Sequence, residues 1–387
     1  MLPFRTLLAA ATFSVALFAP LAHAVEDCEL NGASVNPANG YTTAGKSGLM
    51  RCKDRDSGAV TREQELRNGK FMGVRRNYRD GKMVLELNVN DKGNRDGRVR
   101  EFSETGQVLR DETFSNGRTT GVGVSYYANG QIKRATSYND QGREQAYAEY
   151  SEQGKLHNLR CAEQPVMGKV VDDRNLCGHA GKASVVDMHT YKGALSGRAT
   201  YLAGIRTVFD SFWPDGTLAA HEELSPTGRM ERGFTRTGVL YREETWEMMG
   251  KYFVKQREQK FDEKSGTLIR DQQWVQNVPV SDVAYYLNGK QRREVTYQHE
   301  GSFTQIVAKD FYDDGKLGAE GTFMSPDGRS DEIPVGVHKR YDEQGRLRGQ
   351  SEFTDAGQVK RLKTWDESGS VTRDDEVFED GSRKSLR

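Results

Sequence analysis

The stretch YDDGKLGAEGTF, Tyr312 to Phe323, holds the pattern that decides the fold of this chain. An aromatic residue is followed by two polar residues, glycine, another polar residue and an aliphatic residue. A second aromatic residue comes six positions after the aliphatic one. The same pattern, sometimes with one more residue before the glycine, returns along most of the sequence. Further copies are YANGQI at 127–132, WPDGTL at 213–218, YDEQGRL at 341–347, FTDAGQV at 353–359 and WDESGSV at 365–371.

The glycines of this repeat recur about every 12 residues, with occasional longer steps. They stand at positions 69, 81, 93, 106, 117, 130, 142 and 154, and again at 216, 228, 238, 266, 289, 315, 328, 345, 357, 369 and 381. Such a step is too short for a pair of helices. It fits one strand of about six to eight residues followed by one turn.

The turn sequences predict hairpins of two kinds. Asn68-Gly69, Asn116-Gly117, Asn129-Gly130 and Asn288-Gly289 are the strongest signals for two-residue turns, in which both residues need a positive φ. Longer versions, such as the turn that contains Gly345, suit a type I turn closed by a left-handed glycine.

The apolar residues of each repeat predict one preferred face of the strand. Leu317 and Phe323 are six positions apart, as are Leu347 and Phe353. An even spacing puts both members of a pair on the same side of a strand, whereas on a helix six positions end on the opposite side of the cylinder. The pattern therefore predicts rows of aromatic and aliphatic side chains along one face of a sheet, with charged side chains on the other.

The predicted fold class is all-β: an elongated, curled antiparallel meander of β-hairpin repeats with about 12 residues in each strand-turn unit. An open sheet of more than about ten strands is expected to curl or split. The predicted segments are a signal peptide at 1–24, a disulfide-stapled N-terminal cap at 25–60, a first β-repeat array at 61–157, an irregular disulfide-stapled insert at 158–204 and a second array at 205–387.

The repeat resembles the MORN-type variant repeat of bacterial proteins. The shared pattern is aromatic-x-x-[DN]-G-[KRQ]-[LIV], which covers most of 62–157 and 205–387. The resemblance implies an array of β-hairpins with a binding role and no catalytic residues, in a family of exported or cytoplasmic bacterial proteins, many of which are labelled antitoxins or have no assigned function. The chain departs from the family pattern in its two cysteine pairs and in the irregular stretch 239–300.

The N-terminal sequence predicts export. One positive charge in 1–5 precedes the mainly apolar stretch 7–21, and Ala22-His23-Ala24 then gives a small-x-small cleavage pattern. Cys28 does not follow a lipobox, and no other apolar run approaches the length of a membrane span. The sequence thus predicts cleavage after Ala24 and a periplasmic or secreted mature protein, with no transmembrane segment.

The chain has four cysteines: Cys28, Cys52, Cys161 and Cys177. An even number in an exported protein indicates disulfides. Four cysteines allow three connectivities, and closeness in sequence favours Cys28–Cys52 and Cys161–Cys177. A metal site formed by Cys161, Cys177, His179 and His189 is the alternative, but its spacing matches no compact zinc motif.

Gly40-Tyr-Thr-Thr-Ala-Gly-Lys-Ser47 fits the phosphate-binding consensus G-x-x-x-x-G-K-[ST]. A functional P-loop needs a buried strand before it and a helix after it. The preceding NGASVNPAN is polar and turn-forming, and the following GLMRC ends in a cysteine expected to form a disulfide. The sequence context therefore argues against nucleotide binding.

Composition and motifs point away from catalysis and from nucleic acid. Lys plus Arg equals Asp plus Glu at 56 each, without the basic excess of a nucleic-acid-binding protein. The H-E-x-x-H and G-x-S-x-G motifs and the Ca²⁺-loop motif D-x-D-x-D-G are absent from the sequence. The sequence predicts no enzyme activity, no cofactor and no resident metal.

The sequence-based hypothesis is a non-catalytic protein that binds a partner protein through its sheet surface, as an immunity or antitoxin-type neutraliser. Its candidate binding anchors are Trp213, Arg242 and Trp246, because aromatic and Arg side chains dominate protein interfaces. The alternative is a module of the cell envelope that contacts lipid headgroups or cell-wall polysaccharide; the zero net charge counts against anionic lipid.

Overall fold

The computed structural model describes residues 26–326 and 332–386. The predicted signal peptide lies outside the described residues. The described chain is almost entirely β, with 29 strands and two helices of four residues each, and none of these helices is long and apolar enough to cross a membrane. The all-β hairpin array predicted from the sequence is confirmed.

The first group of elements is β1 Glu26–Leu30, β2 Ala33–Val35, α1 Gly40–Thr43, β3 Gly48–Asp54, β4 Val60–Arg67, β5 Lys70–Arg79, β6 Lys82–Val89, β7 Arg95–Phe102, β8 Val108–Ser115, β9 Arg118–Tyr126, β10 Ile132–Tyr138, β11 Glu144–Tyr150 and β12 Leu156–Arg160.

The second group is α2 Asp173–Leu176, β13 Ser184–His189, β14 Leu195–Leu202, β15 Ile205–Phe212, β16 Leu218–Ser225, β17 Gly228–Phe234, β18 Leu240–Met249, β19 Tyr252–Phe261, β20 Leu268–Val275, β21 Val278–Tyr285, β22 Gln291–Glu300, β23 Phe303–Phe311, β24 Leu317–Pro326, β25 Ile333–Tyr341, β26 Leu347–Phe353, β27 Val359–Trp365, β28 Val371–Val377 and β29 Arg383–Ser385.

The strands form two antiparallel sheets, of 12 and 17 strands, neither of which closes into a barrel. Strands follow each other in chain order, except that β1 lies between β3 and the edge strand β2. The chain also divides into two compact units, one made of the described residues up to Gly130 with Tyr138–Arg143, the other of Gln131–Ser137 and the described residues from Glu144 onward. The segment boundaries predicted from the sequence stay predictions.

In the first unit, a small core forms around a disulfide. Cys28 lies directly opposite Cys52 in the β1–β3 register, and the two are bonded. The buried side chains packed together there are Cys28, Leu30, Val35, Met50, Cys52 and Leu66. The residues of the P-loop consensus form the short helix α1, and strand β3 follows Ser47 directly, so the long helix that a P-loop requires after its Lys-Ser pair is replaced by a strand.

In the second unit, the main core lies between strands and a compact non-repeat segment. Cys161 is bonded to Cys177, so these sulfurs are not free thiolates for the alternative metal site. The Tyr201 hydroxyl donates to the Leu159 carbonyl at 2.9 Å. The buried members of this core are Ala135, Ala146, Ala148, Leu159, Met167, Val171, Cys177, Val186, Met188, Ala199 and Tyr201. Both disulfides are the pairs favoured from sequence.

Most of the repeat glycines build a five-residue turn. At Tyr312–Lys316, the amide of Gly315 donates to the Tyr312 carbonyl and the amide of Tyr312 donates to the Lys316 carbonyl, both at 2.9 Å. Gly315 has φ +90°, the left-handed region in which L side chains are strained. Asp314 completes the turn, because its Oδ1 accepts from the Lys316 amide at 2.9 Å.

Two of the four predicted Asn-Gly two-residue turns are wrong. Asn68 and Asn116 have φ near +49° and +48°, as a two-residue turn requires, but Asn129 and Asn288 have no positive φ. The latter two precede the glycine of five-residue turns, closed by the Gly130 amide to the Tyr127 carbonyl and the Gly289 amide to the Tyr286 carbonyl. The Asn-Gly pair alone therefore does not fix the length of the turn, and neither does an aromatic three positions before the glycine, since Phe114 stands there in the two-residue turn of Gly117.

The predicted single apolar face is also wrong. In the β23–β24 hairpin, Leu317 pairs with Phe311, but Ala319 pairs with Asp310, so Gly318 is an extra residue. One extra residue inverts the alternation of side chains. Leu317 therefore lies on the face of Phe311, while Phe323 lies on the opposite face. The same shift occurs at Tyr241, Ile269, Arg292 and Arg348.

Candidate binding surface

One face of the 17-stranded sheet carries a row of carboxylates across neighbouring strands. Glu222 pairs with Glu231, Glu231 with Glu244, and Glu244 with Glu258, from β16 to β19. Like charges directly opposite each other on a sheet are destabilising. This acidic row thus requires neighbouring cations to compensate its charge.

Cations on one side come from Arg229 and Lys255. Arg229 contacts Glu222 at 2.9 Å and Glu231 at 2.7 Å. Lys255 contacts Glu244 at 2.7 Å and also pairs with Glu258. Burial alone would lower the pKa of Lys255, but its hydrogen bonds with Glu244 and Glu258 raise that pKa above the ordinary value.

Cations on the other side come from Arg242 and Lys260. Arg242 contacts Glu231 at 3.4 Å and Glu244 at 3.2 Å, and Lys260 contacts Glu258 at 3.2 Å. Burial tends to raise the pKa of Glu258, but the bonds from Lys255 and Lys260 lower it below the ordinary value. Glu231, Glu244 and Glu258 are therefore each held between two cations, while Glu222 contacts Arg229 and Arg206. Between β16 and β19, this ionic network takes the place of an apolar core on this face. We call the face that bears this network the groove face.

The cations also order two tryptophans. The Arg229 guanidinium lies 4.8 Å from the centre of the Trp246 ring, and the Lys255 ammonium lies 4.8 Å from the Trp274 ring. Such cation–π contacts contribute about 0.5–1 kcal/mol at exposed sites. Trp246 and Trp274 are half-buried, so each still presents part of its surface to solvent.

The structure places the three sequence-predicted anchors in two different settings. Arg242 and Trp246 lie on β18, and their register opposite Gly233 and Arg229 puts both on the groove face. Trp213 lies instead in the β15–β16 turn, where its Nε1 donates to the Phe234 carbonyl at 3.2 Å. Whether any of the three contacts a partner stays a prediction.

The edge of the sheet at the β18–β19, β20–β21 and β22–β23 hairpin tips exposes six large apolar side chains. The most exposed are Tyr252 at 77%, Val275 at 57% and Phe303 at 49%. Alternate hairpins of a meander end at the same edge, so neighbouring tips are about 10 Å apart. We call this set the apolar rim: Met249, Tyr252, Phe253, Val275, Val278 and Phe303.

Near the other edge, between β19 and β22, lies a groove of about 550 Å³. Four cations line it, namely Lys260, Arg270, Arg292 and Arg293, together with one carboxylate, that of Asp282. We call it the basic groove. Arg270 donates to Asp282 through Nε at 2.9 Å and through Nη2 at 2.5 Å.

Sequence reasoning missed the acidic row, the apolar rim and the basic groove. All depend on strand register, which the variable length of the turns and the extra residues conceal. The one sequence signal was the irregular stretch 239–300, which proves to contain the rim residues up to Val278 and the whole lining of the basic groove.

The fold and the surface define a class: a long antiparallel hairpin-repeat protein with an ionic face and an exposed apolar edge. The MORN repeat variant family matches residues 95–116 and 119–140, which span the β7–β8 and β9–β10 strand-turn-strand units. The chain therefore contains MORN-type repeats, which generally serve as non-catalytic binding modules. No curated protein matches the chain in sequence.

Solved structures give only distant likenesses. One is TcdB2-TccC3-TEV, with 9% identity and a TM-score of 0.16; the match covers 86% of this chain but only 20% of that chain. A candidate 6-phosphogluconolactonase from Bacteroides uniformis ATCC 8492 has 11% identity and a TM-score of 0.09. The match covers 89% of this chain and 93% of that chain. A mutant of transferrin binding protein B from Haemophilus parasuis Hp5 has 12% identity and a TM-score of 0.10. The match covers 88% of this chain and 66% of that chain. Likenesses at these TM-scores carry no argument about this chain.

Proposed function

We propose that this chain is a non-catalytic binding protein that captures a partner protein on the groove face and the apolar rim of its second unit. The apolar rim carries the proposal. Six large apolar side chains are exposed at the tips of three alternate hairpins along one edge of the sheet, and exposed apolar surface of this kind marks interaction sites.

The groove face supplies what a protein interface needs beside an apolar patch. Trp246 and Trp274 are fixed by stacked cations, so little side-chain entropy remains to be lost on binding. Interface hot spots are enriched in Trp, Tyr and Arg, and the rim and the groove face offer all three.

We further propose that the protein acts outside the cytoplasm and neutralises a toxic partner, in the manner of an immunity protein. Two disulfides support the compartment, because such bonds persist in oxidising environments. The antitoxin labels of the repeat family that the sequence resembles support a neutralising role.

The test is capture from a Gram-negative periplasm with a tagged chain starting at residue 25. The rim variant Tyr252→Ser/Phe303→Ser is compared with the matched control Val185→Ser/Val337→Ser, which removes two exposed apolar side chains outside the rim. One protein of defined stoichiometry, retained by the wild type and the control and lost by the rim variant, is the expected result. All variants must melt at the same temperature.

Three other outcomes count against parts of the proposal. A partner that the rim variant still retains would move the binding site elsewhere. A partner that is harmless when produced alone would remove the neutralising role. Retention on purified cell wall or on lipid vesicles, without any protein partner, would favour the envelope module instead.

A further inference from the structure

The basic groove offers hydrogen-bond donors that its own contacts leave unused. Arg270 engages Asp282 through Nε and Nη2, and Arg293 contacts Asp310 through Nη1 alone, at 3.3 Å. Arg292 is exposed and forms no ion pair within the residues that the structure describes. Because a guanidinium has five N–H donors, most donors in the groove remain available for an anion.

The strand register fixes the spacing of these cations. Lys260 pairs with Arg270, Arg270 with Ala284, and Ala284 with Arg293, on the consecutive strands β19 to β22. The small side chain of Ala284 therefore leaves open space between Arg270 and Arg293. Arg292 is the extra residue beside Arg293, which adds a second guanidinium at the same end. Neighbouring strands are about 5 Å apart, so the cations form a line across the strands.

One wall of the groove is apolar and fixed in place. Leu287 is 65% exposed and lines the groove at the β21–β22 turn, and Ile269 lines it from β20. The Tyr286 hydroxyl donates to the Phe311 carbonyl at 2.8 Å, which holds this turn against the next hairpin. A ligand of this groove thus meets a line of cations with an apolar contact beside it.

We infer that the basic groove binds an acidic protein segment: an extended stretch with at least two carboxylates and one apolar side chain. The inference rests on the proposed function, since it names the chemistry of the partner. Side chains on one side of an extended peptide are about 7 Å apart, which long Arg and Lys side chains can match. A long polyanion such as nucleic acid would need a continuous run of available cations, whereas Arg242 and Lys255 beside the groove are already paired with Glu244.

The experiment measures binding of a short fluorescent peptide of alternating Glu and Leu to the full mature chain by anisotropy. A peptide with Gln in place of Glu is the ligand control. The test variant is Arg292→Glu, and the matched variant is Lys192→Glu, an exposed cation in the β13–β14 turn. Pyrophosphate is added as a competitor to distinguish carboxylate from phosphate chemistry.

The expected result is saturable binding of the Glu peptide alone, weakened by about tenfold or more in Arg292→Glu and by added salt, and unchanged in Lys192→Glu. Equal binding of the Glu and Gln peptides, or equal loss in the two variants, overturns the inference, and so does full displacement by low pyrophosphate. Because the peptide assay needs no natural partner, its failure leaves the rim-dependent capture of a protein intact, and a failed capture leaves the peptide result standing.

Discussion

At the scale of single residues, the protein is organised by charge. On the face opposite the groove face, paired residues form a second line from strand to strand. Its first six members are Asp187, Arg198, Asp210, His221, Arg232 and Glu243. His221 stands between carboxylates, with Nδ1 2.6 Å from Asp210 Oδ1 and Nε2 2.9 Å from Glu223 Oε1.

His221 predicts a loss of stability as the pH rises. Burial alone would lower its pKa, but the hydrogen bonds with Glu223 and Asp210 raise that pKa above 6.5. The protonated form is therefore favoured in the folded state, and its stabilising effect is complete below pH 6.5 and is lost as the pH rises through the folded-state pKa. His221→Gln should lower the free energy of unfolding at low pH and remove this pH dependence.

Urea unfolding of both proteins from about pH 6 to about pH 9 measures the effect. Parallel stability profiles for the wild type and His221→Gln would show that the histidine does not titrate differently in the folded protein. The nearby cations Arg198 and Arg232 keep their charge throughout this range, so they do not account for a difference between the two profiles.

At the scale of elements, the five-residue turn is the unit that sets the register. Its glycine takes the left-handed conformation, and the following strand carries the extra residue that reverses the faces. The turn can therefore be altered by one methyl group without touching any strand contact.

Gly289→Ala is expected to destabilise the protein by about 1–2 kcal/mol, because φ +83° is strained for an L residue. An added Cβ would meet no atom within 4 Å, so conformational strain is the only cost. Gly349→Ala is the control, since it has no positive φ and its Cβ would meet only the Arg340 side chain, at 3.5 Å. Equal stability of the two variants in thermal unfolding would contradict this assignment of the turn.

The repeat pattern was enough to predict the strands and their antiparallel order, and closeness in sequence was enough to predict the disulfide pairs. The pattern was not enough to predict which face of the sheet each side chain occupies, because the extra residues that reverse the faces share no residue type. These are Tyr241, Ile269, Arg292, Gly318 and Arg348. The position of a side chain in a row that crosses several strands depends on every extra residue in those strands. The groove face therefore could not be read from spacing, although Trp246 and Arg242 on it were chosen for their residue type alone.

At the scale of the whole molecule, stability comes from contacts between sequence neighbours. In the sheet of the second unit, β27 pairs with β26 and β28 only. The main core lies far away in sequence, and its buried residues end at Tyr201. Stability of such an array is approximately a sum of local terms.

A chain that stops after Thr354, and so lacks β27 to β29, should keep its β signal in circular dichroism and still unfold cooperatively. Deletion of 161–183 should instead disrupt the fold, because this segment supplies Met167, Val171 and the Cys161–Cys177 bond to the core. If the C-terminal truncation abolishes folding while the internal deletion is tolerated, the neighbour-only description of the sheet is wrong.

The five-residue turn also bears on how such a chain can change in length. Its backbone bonds, its capping side chain and its left-handed glycine all come from five consecutive residues. A tandem duplication of one hairpin would therefore copy every residue that its turn needs to form, and it would leave the flanking hairpins unchanged. The gene could lengthen or shorten the sheet by whole hairpins, and the surface between two retained hairpins would be free to diverge.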